Sequence, residues 1–242
     1  MSLLQMHKTL LDNKEKVQYR INKTLPKIIA LFRKTLFFPV WHIEEFEIPS
    51  TNDKFAVFFY ADSRYEVEHP HYASFFIVFD GNSRFLMRGM SMGYKHTPNS
   101  EMIMLPQIHI YTSHFFQRYN ERFLHNNKLS ANEVAGMFFV RNHDIIPIEL
   151  NEDMNRNYTD YGELNGQGFR VYDGFCFGET AIDGKFNYDG DRKKDVVEAM
   201  IIKFKTFLSK KDLSETQAVA IDKGHLKTIS RCYDNIEEYY SE

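Results

Sequence analysis

Hydrophobic and polar positions change period several times along the chain, and each change predicts an element. Over residues 2–33, Leu3, Leu4, Leu10, Leu11, Val17, Ile21, Leu25, Ile28 and Phe32 recur at helical spacing with polar residues between them. This predicts N-terminal helices that either cover a sheet or form an arm docking a partner. Pro26 is expected to end or kink the first of them, because an interior proline lacks an N–H and costs about 3 kcal/mol. Between residues 46 and 104 the period falls to two. Segments 54–60 (KFAVFFY), 72–79 (YASFFIVF) and 84–92 (RFLMRGMSM) are expected strands, with Asp80-Gly81-Asn82-Ser83 as the hairpin turn between the last two. Runs joined this tightly pair antiparallel.

A further short strand alternates Ile108 and Ile110 with His109 and Tyr111, and the period then lengthens. Thr112 or Ser113 supplies a side-chain oxygen able to cap a helix. Beyond it Phe115, Phe116, Tyr119 and Phe123 share one face, and His114, Arg118, Glu121 and His125 fall in a narrow arc on the other. Ser130 and Glu133 form a capping box for a second helix that packs by Val134, Met137 and Phe138. Residues 142–168 carry little periodic signal, and Gly166-Gln167-Gly168 is expected to be a turn, lacking a phosphate-loop continuation. Strands are expected at 169–177 and 196–208. In the second, Met200, Ile202, Phe204 and Thr206 face one way and Ile201, Lys203, Lys205 and Phe207 the other, so two lysines project from one face. Residues 212–242 contain further helix and end acidic.

These elements make an α+β protein: an antiparallel sheet, or sheets, covered by N-terminal helices and a central helix pair. Residues 95–100, with Pro98 and Asn99, mark the natural break between residues 1–98 and 99–242, which form two units or one continuous domain.

Composition narrows the function classes. A chain of 242 residues can bury a substantial core, and 15% aromatic residues suits sheet packing. A net charge of −3 leaves no global basic field, so nucleic acid would need a local site. Cys176 and Cys232 are the two cysteines, which implies no disulfide framework and suits the cytoplasm. No signal peptide and no apolar run of about 20 residues is present, so no membrane partner is expected.

The arc on the central helix has two readings. Arg118 with Glu121, and Glu121 with His125, are helical ion-pair spacings that stabilise a solvated face. Alternatively the row binds or cleaves an anion, with His114 as a general base. His114 and His125 stand about 16 Å apart along the axis, too far to serve one phosphate, so His114, Arg118, Glu121 and Arg122 would be the local set. Glu66, Glu68, His69 and His71 hold metal-ligating groups without an established zinc spacing. Asn187, Asp189, Asp191, Lys193, Asp195 and Glu198 partly match a calcium loop, whose glycine position holds Arg192. No metal or cofactor is expected.

The order of a helix with His-x3-Arg-x2-Glu-Arg, a helix opening on Leu-Ser-x-x-Glu-Val, and strands ending in IIKFKTF resembles small toxin-type ribonucleases of the barnase/EndoU/colicin/RelE group and allied domains of unknown function. The resemblance covers residues 107–210. It implies metal-independent RNA cleavage: His114 or Glu121 takes a ribose 2′-OH proton, and Arg118 with Lys203 or Lys205 stabilises the phosphate charge. Thr206 or a strand lysine would stand opposite, with Arg122 on the substrate side. The competing expectation is a non-catalytic binding or regulatory protein that docks a protein partner through its N-terminal helices.

Overall fold

In the computed structural model, which describes residues 3–48, 53–80, 83–94, 103–148, 166–184, 197–219, 221–223 and 226, the helical spacing at the start of the chain forms one helix, α1 (Leu3–Phe32). It runs through Pro26 instead of ending there. Pro26 and Asn22, whose carbonyl loses its N–H partner, are both exposed, so the missing bond leaves no polar group buried.

Nine strands follow among the described residues: β1 (Val40–Glu47), β2 (Lys54–Ala61), β3 (His71–Asp80), β4 (Ser83–Tyr94), β5 (Ile103–Thr112), β6 (Ile146–Ile148), β7 (Gly166–Val171), β8 (Gly174–Gly184) and β9 (Val197–Ser209). They form one sheet in the order β1-β2-β3-β4-β5-β9-β8-β7-β6. Two antiparallel meanders, β1 to β5 and β6 to β9, meet at β5 and β9, a parallel pair. The fold is α+β with a mostly antiparallel sheet. Pairing of β4 with β5 extends from Phe85↔Thr112 to Tyr94↔Ile103, so the sheet continues across the 98/99 break.

Between β5 and β6 the chain forms α2 (Ser113–Tyr119), a π turn (Asn120–Leu124) and α3 (Ala131–Arg141). Alternation along the strands divides the core in two. On one face Val17, Ile21, Ile28 and Phe32 of α1 bury against Val57, Phe59, Ile108, Ile110 and Ile201. On the other, Phe115, Phe116, Tyr119, Phe138 and Phe139 of α2 and α3 pack on Phe58, Phe75, Tyr111, Phe204 and Phe207. Tyr111 stacks on Phe204 with ring centroids 4.6 Å apart, joining the two meanders by an aromatic contact as well as by the ladder.

Three expectations are corrected. Segment 169–177 is a hairpin and not one strand: Val171 pairs with Gly174 around Tyr172 and Asp173. Gly166 to Gly168 opens β7 and pairs with β8, so it is not a turn. In β9 the alternation slips, because Phe177 pairs with Thr206 while Gly178 pairs with Phe204, leaving Lys205 as the extra residue of a bulge. Phe204 and Phe207 therefore share the α2/α3 core. No helix among the described residues is long and apolar enough to cross a membrane.

Candidate functional site

α2 starts because Thr112, in an extended conformation, accepts the Phe115 N–H at 3.1 Å, while Ser113 donates to the Arg84 carbonyl. Burial of Phe115, Phe116 and Tyr119 turns His114, Gln117, Arg118 and Glu121 outward. Arg118 Nη1 donates to Glu121 at 2.8 Å, and Arg118 Nε lies 3.4 Å from His114 Nε2. Gln117 donates to Glu121 at 2.9 Å. This bond first, and Arg118 with it, holds the Glu121 carboxyl below the usual carboxylate range, which weakens it as a base. Arg118 and Glu121 side chains are 40% and 43% exposed, so the row lies on an open helix face.

The π turn ends the arc. Arg122 swings inward, its Nη1 donating to the Phe207 carbonyl at 2.6 Å with Asp212 4.0 Å from Nε. His125 follows in the left-handed region at φ 50°. The strand residues do not join the row. Lys203 shares the α1 face of the sheet with Ile201 and lies 5.9 Å over the Phe85 ring. Lys205, at the bulge, is paired with Glu179. Thr206 points by alternation to the face opposite Phe207.

Among the described residues no group of three or more His, Cys, Asp or Glu side chains is placed to hold a metal ion. His71 Nε2 lies 3.7 Å from Glu66, and no ion-pair partner of His69 is present among the described residues. The calcium-template residues 187–195 and the Glu198 side chain lie outside the described residues.

Beneath α2 is a buried polar knot that spacing alone did not reveal. Asp173, in the β7–β8 turn, accepts from Tyr119 Oη at 2.6 Å, from Arg141 Nε and Nη2 at 2.9 and 2.8 Å, and from Asn142 Nδ2 at 3.1 Å. Its own N–H donates to Asn142 Oδ1 at 2.9 Å. Burial first, then Asp173, pushes the Tyr119 hydroxyl well above its ordinary range, and the Asp173 bonds raise Arg141. With these acceptors filled, the knot clamps the β7–β8 turn to α2 and α3.

A second cluster crosses β4 and β5, where Arg88 pairs with His109 on the α2/α3 face. His109 is buried, with Nε2 3.1 Å from Gln107 Oε1 and Nδ1 3.5 Å from Tyr111 Oη. Burial and then Arg88 push its pKa down to about 3. The Arg88 guanidinium lies 4.7 Å over the Phe139 ring. It makes no hydrogen bond and no ion pair among the described residues. His143, just past α3, is lowered by burial, by His71 at a ring separation of 6.2 Å, and by Arg88. A signal for this cluster was present in the sequence: Arg88 falls on the same alternation face as Leu86, where an apolar residue is expected.

The third feature is a surface. Tyr19, Lys23, Lys27 and Leu31 follow one another at four-residue spacing on α1, all exposed, with Lys23 Nζ 5.9 Å over the Tyr19 ring. The stripe ends at an apolar tip of Leu36 (85% exposed), Phe37 (84%) and Tyr65 (95%). Phe38 packs against the α1 core, and Arg64 donates to the carbonyls of Arg33 and Thr35 at 2.9 and 3.2 Å, tying Tyr65 to this loop. Residues 1–34 hold eight Lys and Arg against Asp12 and Glu15, a basic segment in a chain of net charge −3.

No family model, curated protein or solved structure matches this chain.

Proposed function

We propose that the chain is a non-catalytic binding protein that docks a partner protein through the outer stripe of α1 and the apolar tip at its end. One observation carries this reading: Leu36, Phe37 and Tyr65 stand almost wholly in water at the end of the Tyr19-Lys23-Lys27-Leu31 stripe. Burying such side chains against a partner is favourable by about 1.5–3 kcal/mol each. An apolar centre beside a charged rim is the anatomy of a specific protein interface. The complementary partner has an apolar recess flanked by Asp and Glu.

Support over the ribonuclease reading comes from convergence. RNA cleavage by His114 or Glu121 with Arg118, Lys203 or Lys205 needs those groups around one phosphate. Here the α2 row is open to water, and Lys203 and Thr206 belong to the other face of the sheet. RNA also offers nothing to Leu31 and Leu36, which need hydrocarbon.

The experiment is a photo-crosslinker at Tyr65 of the full chain in its own cells. A discrete protein adduct is expected, lost when Leu36 and Phe37 are both changed to Asp, while the thermal midpoint stays near wild type. Metal-free RNA cleavage by the purified chain that disappears on His114→Ala would instead install the nuclease reading.

A further inference from the structure

We propose that the chain forms a two-fold dimer by pairing β1 edge to edge with β1 of a second copy. The two ends of the sheet differ. β1 and β6 are its outer strands. An outer strand leaves half of its backbone N–H and C=O groups without a ladder partner, and proteins blunt such edges by shortening them or by placing proline in them. β6 is blunted in both ways, with three residues and Pro147 in the middle. β1 is eight residues long, contains no proline, and pairs with β2 along its whole length without a bulge. No strand lies on its outer edge among the described residues.

Alternation decides what fits that edge. Val40, His42, Glu44 and Phe46 stand on the α1 side, where Val40 and Phe46 pack against the α1 core and Glu44 accepts from Thr24 Oγ1 at 3.3 Å. Trp41, Ile43, Glu45 and Glu47 stand on the α3 side, where Trp41 Nε1 donates to Glu133 at 3.0 Å and Glu45 accepts from Asn132. Directly opposed residues of an antiparallel pair point to the same side, so two copies of β1 related by a two-fold axis meet with one residue facing itself. With Ile43 on the axis, Val40 faces Phe46, Trp41 faces Glu45 and His42 faces Glu44 of the second copy, each contact made twice. An imidazole N–H then stands against a carboxylate, and apolar residues meet at the centre and at both ends. The His42 and Glu44 side chains are 37% and 31% exposed, so a second copy can reach them. Moving the axis by one residue sets His42 against His42 or Glu44 against Glu44. The glutamates, which discourage indiscriminate strand addition, thus select one register of one partner. The axis runs normal to the sheet, so both α1 helices come to the same side of the joined sheets. The dimer does not depend on the α1 docking reading.

The test is sedimentation velocity on the full chain over a concentration series, with oxidative cross-linking of cysteine variants on a Cys232→Ser background; Cys176 is buried. Wild type is expected to pass from monomer to dimer. Glu44→Lys, which sets lysine against imidazole twice, should raise the dimer dissociation constant about tenfold. Combining it with His42→Glu restores opposite charges across the axis and should recover the dimer, a rescue that general misfolding would not give. Ile43→Cys should yield a disulfide-linked dimer, because self-facing residues have Cα atoms about 4.5–5.5 Å apart. His42→Cys and Glu44→Cys should each fail to cross-link alone and cross-link when mixed. Wild type that stays monomeric up to about 1 mM overturns the proposal without reliance on any variant. A dimer in which Ile43→Cys does not cross-link overturns it as well.

Discussion

His109 illustrates how a single buried side chain ties stability to pH. Its folded pKa is depressed from 6.5 to about 3 by burial and by Arg88. Between those values the unfolded chain binds a proton that the folded chain refuses, so the contribution is complete above 6.5 and is lost as pH falls towards 3. His143 is depressed as well and acts in the same direction. Denaturant melts at a series of pH values should therefore show a shallower acid loss in His109→Gln than in wild type between 6.5 and about pH 4. Parallel profiles would contradict the burial of a neutral imidazole. Arg88 and His109 also show why part of the candidate chemistry was hidden in the sequence. Each residue was visible, but their meeting depends on the register of β4 against β5, which no local pattern encodes.

At the scale of elements, α3 lies close enough to β2 that residue 136 has no room for a side chain. A Cβ there would stand 2.2 Å from Phe58 Cγ, and Phe58 is fully buried. Gly136→Ala should destabilise the protein by about 1–3 kcal/mol, against the gain that alanine usually brings inside a helix, as overpacking forces Phe58 aside. A chemical-denaturation midpoint at or above wild type would show that the contact relaxes freely. Elements with clean periods were legible: β2, β3 and β4 match expected segments, and the capping box at Ser130 opens α3. Those lost to sequence reasoning had physical reasons. The run from Phe169 to Phe177 is apolar on both sides of its turn, so the hairpin at Tyr172 and Asp173 left only an Asp-Gly pair as a trace. The bulge at Lys205 adds one residue without altering composition, yet reverses which side Thr206 and Phe207 face. On α2 the His114-Arg118-Glu121 row was legible because it depends only on helical spacing; the π turn that removes Arg122 and His125 from it was not.

The whole molecule is two meanders sewn together by the parallel β5–β9 pair, with α1 on one side of the sheet and α2 and α3 on the other. This layering separates the candidate surfaces. The α2 row looks out from one face, and the basic stripe lies on the helix of the opposite face, with the apolar tip in the loops beyond its end. Charge is divided in the same way, with the positive excess concentrated in residues 1–34 while the chain as a whole is acidic. If the proposed partner is acidic, such an arrangement would orient it towards α1 before contact is made. The measurement that bears most directly on this account places a photo-crosslinker at Phe37 in one full-length protein and at His114 in another, and compares the adducts formed in cells. A discrete protein adduct from position 37 and none from position 114 is the predicted result. An RNA adduct from position 114, with position 37 unlabelled, would contradict it.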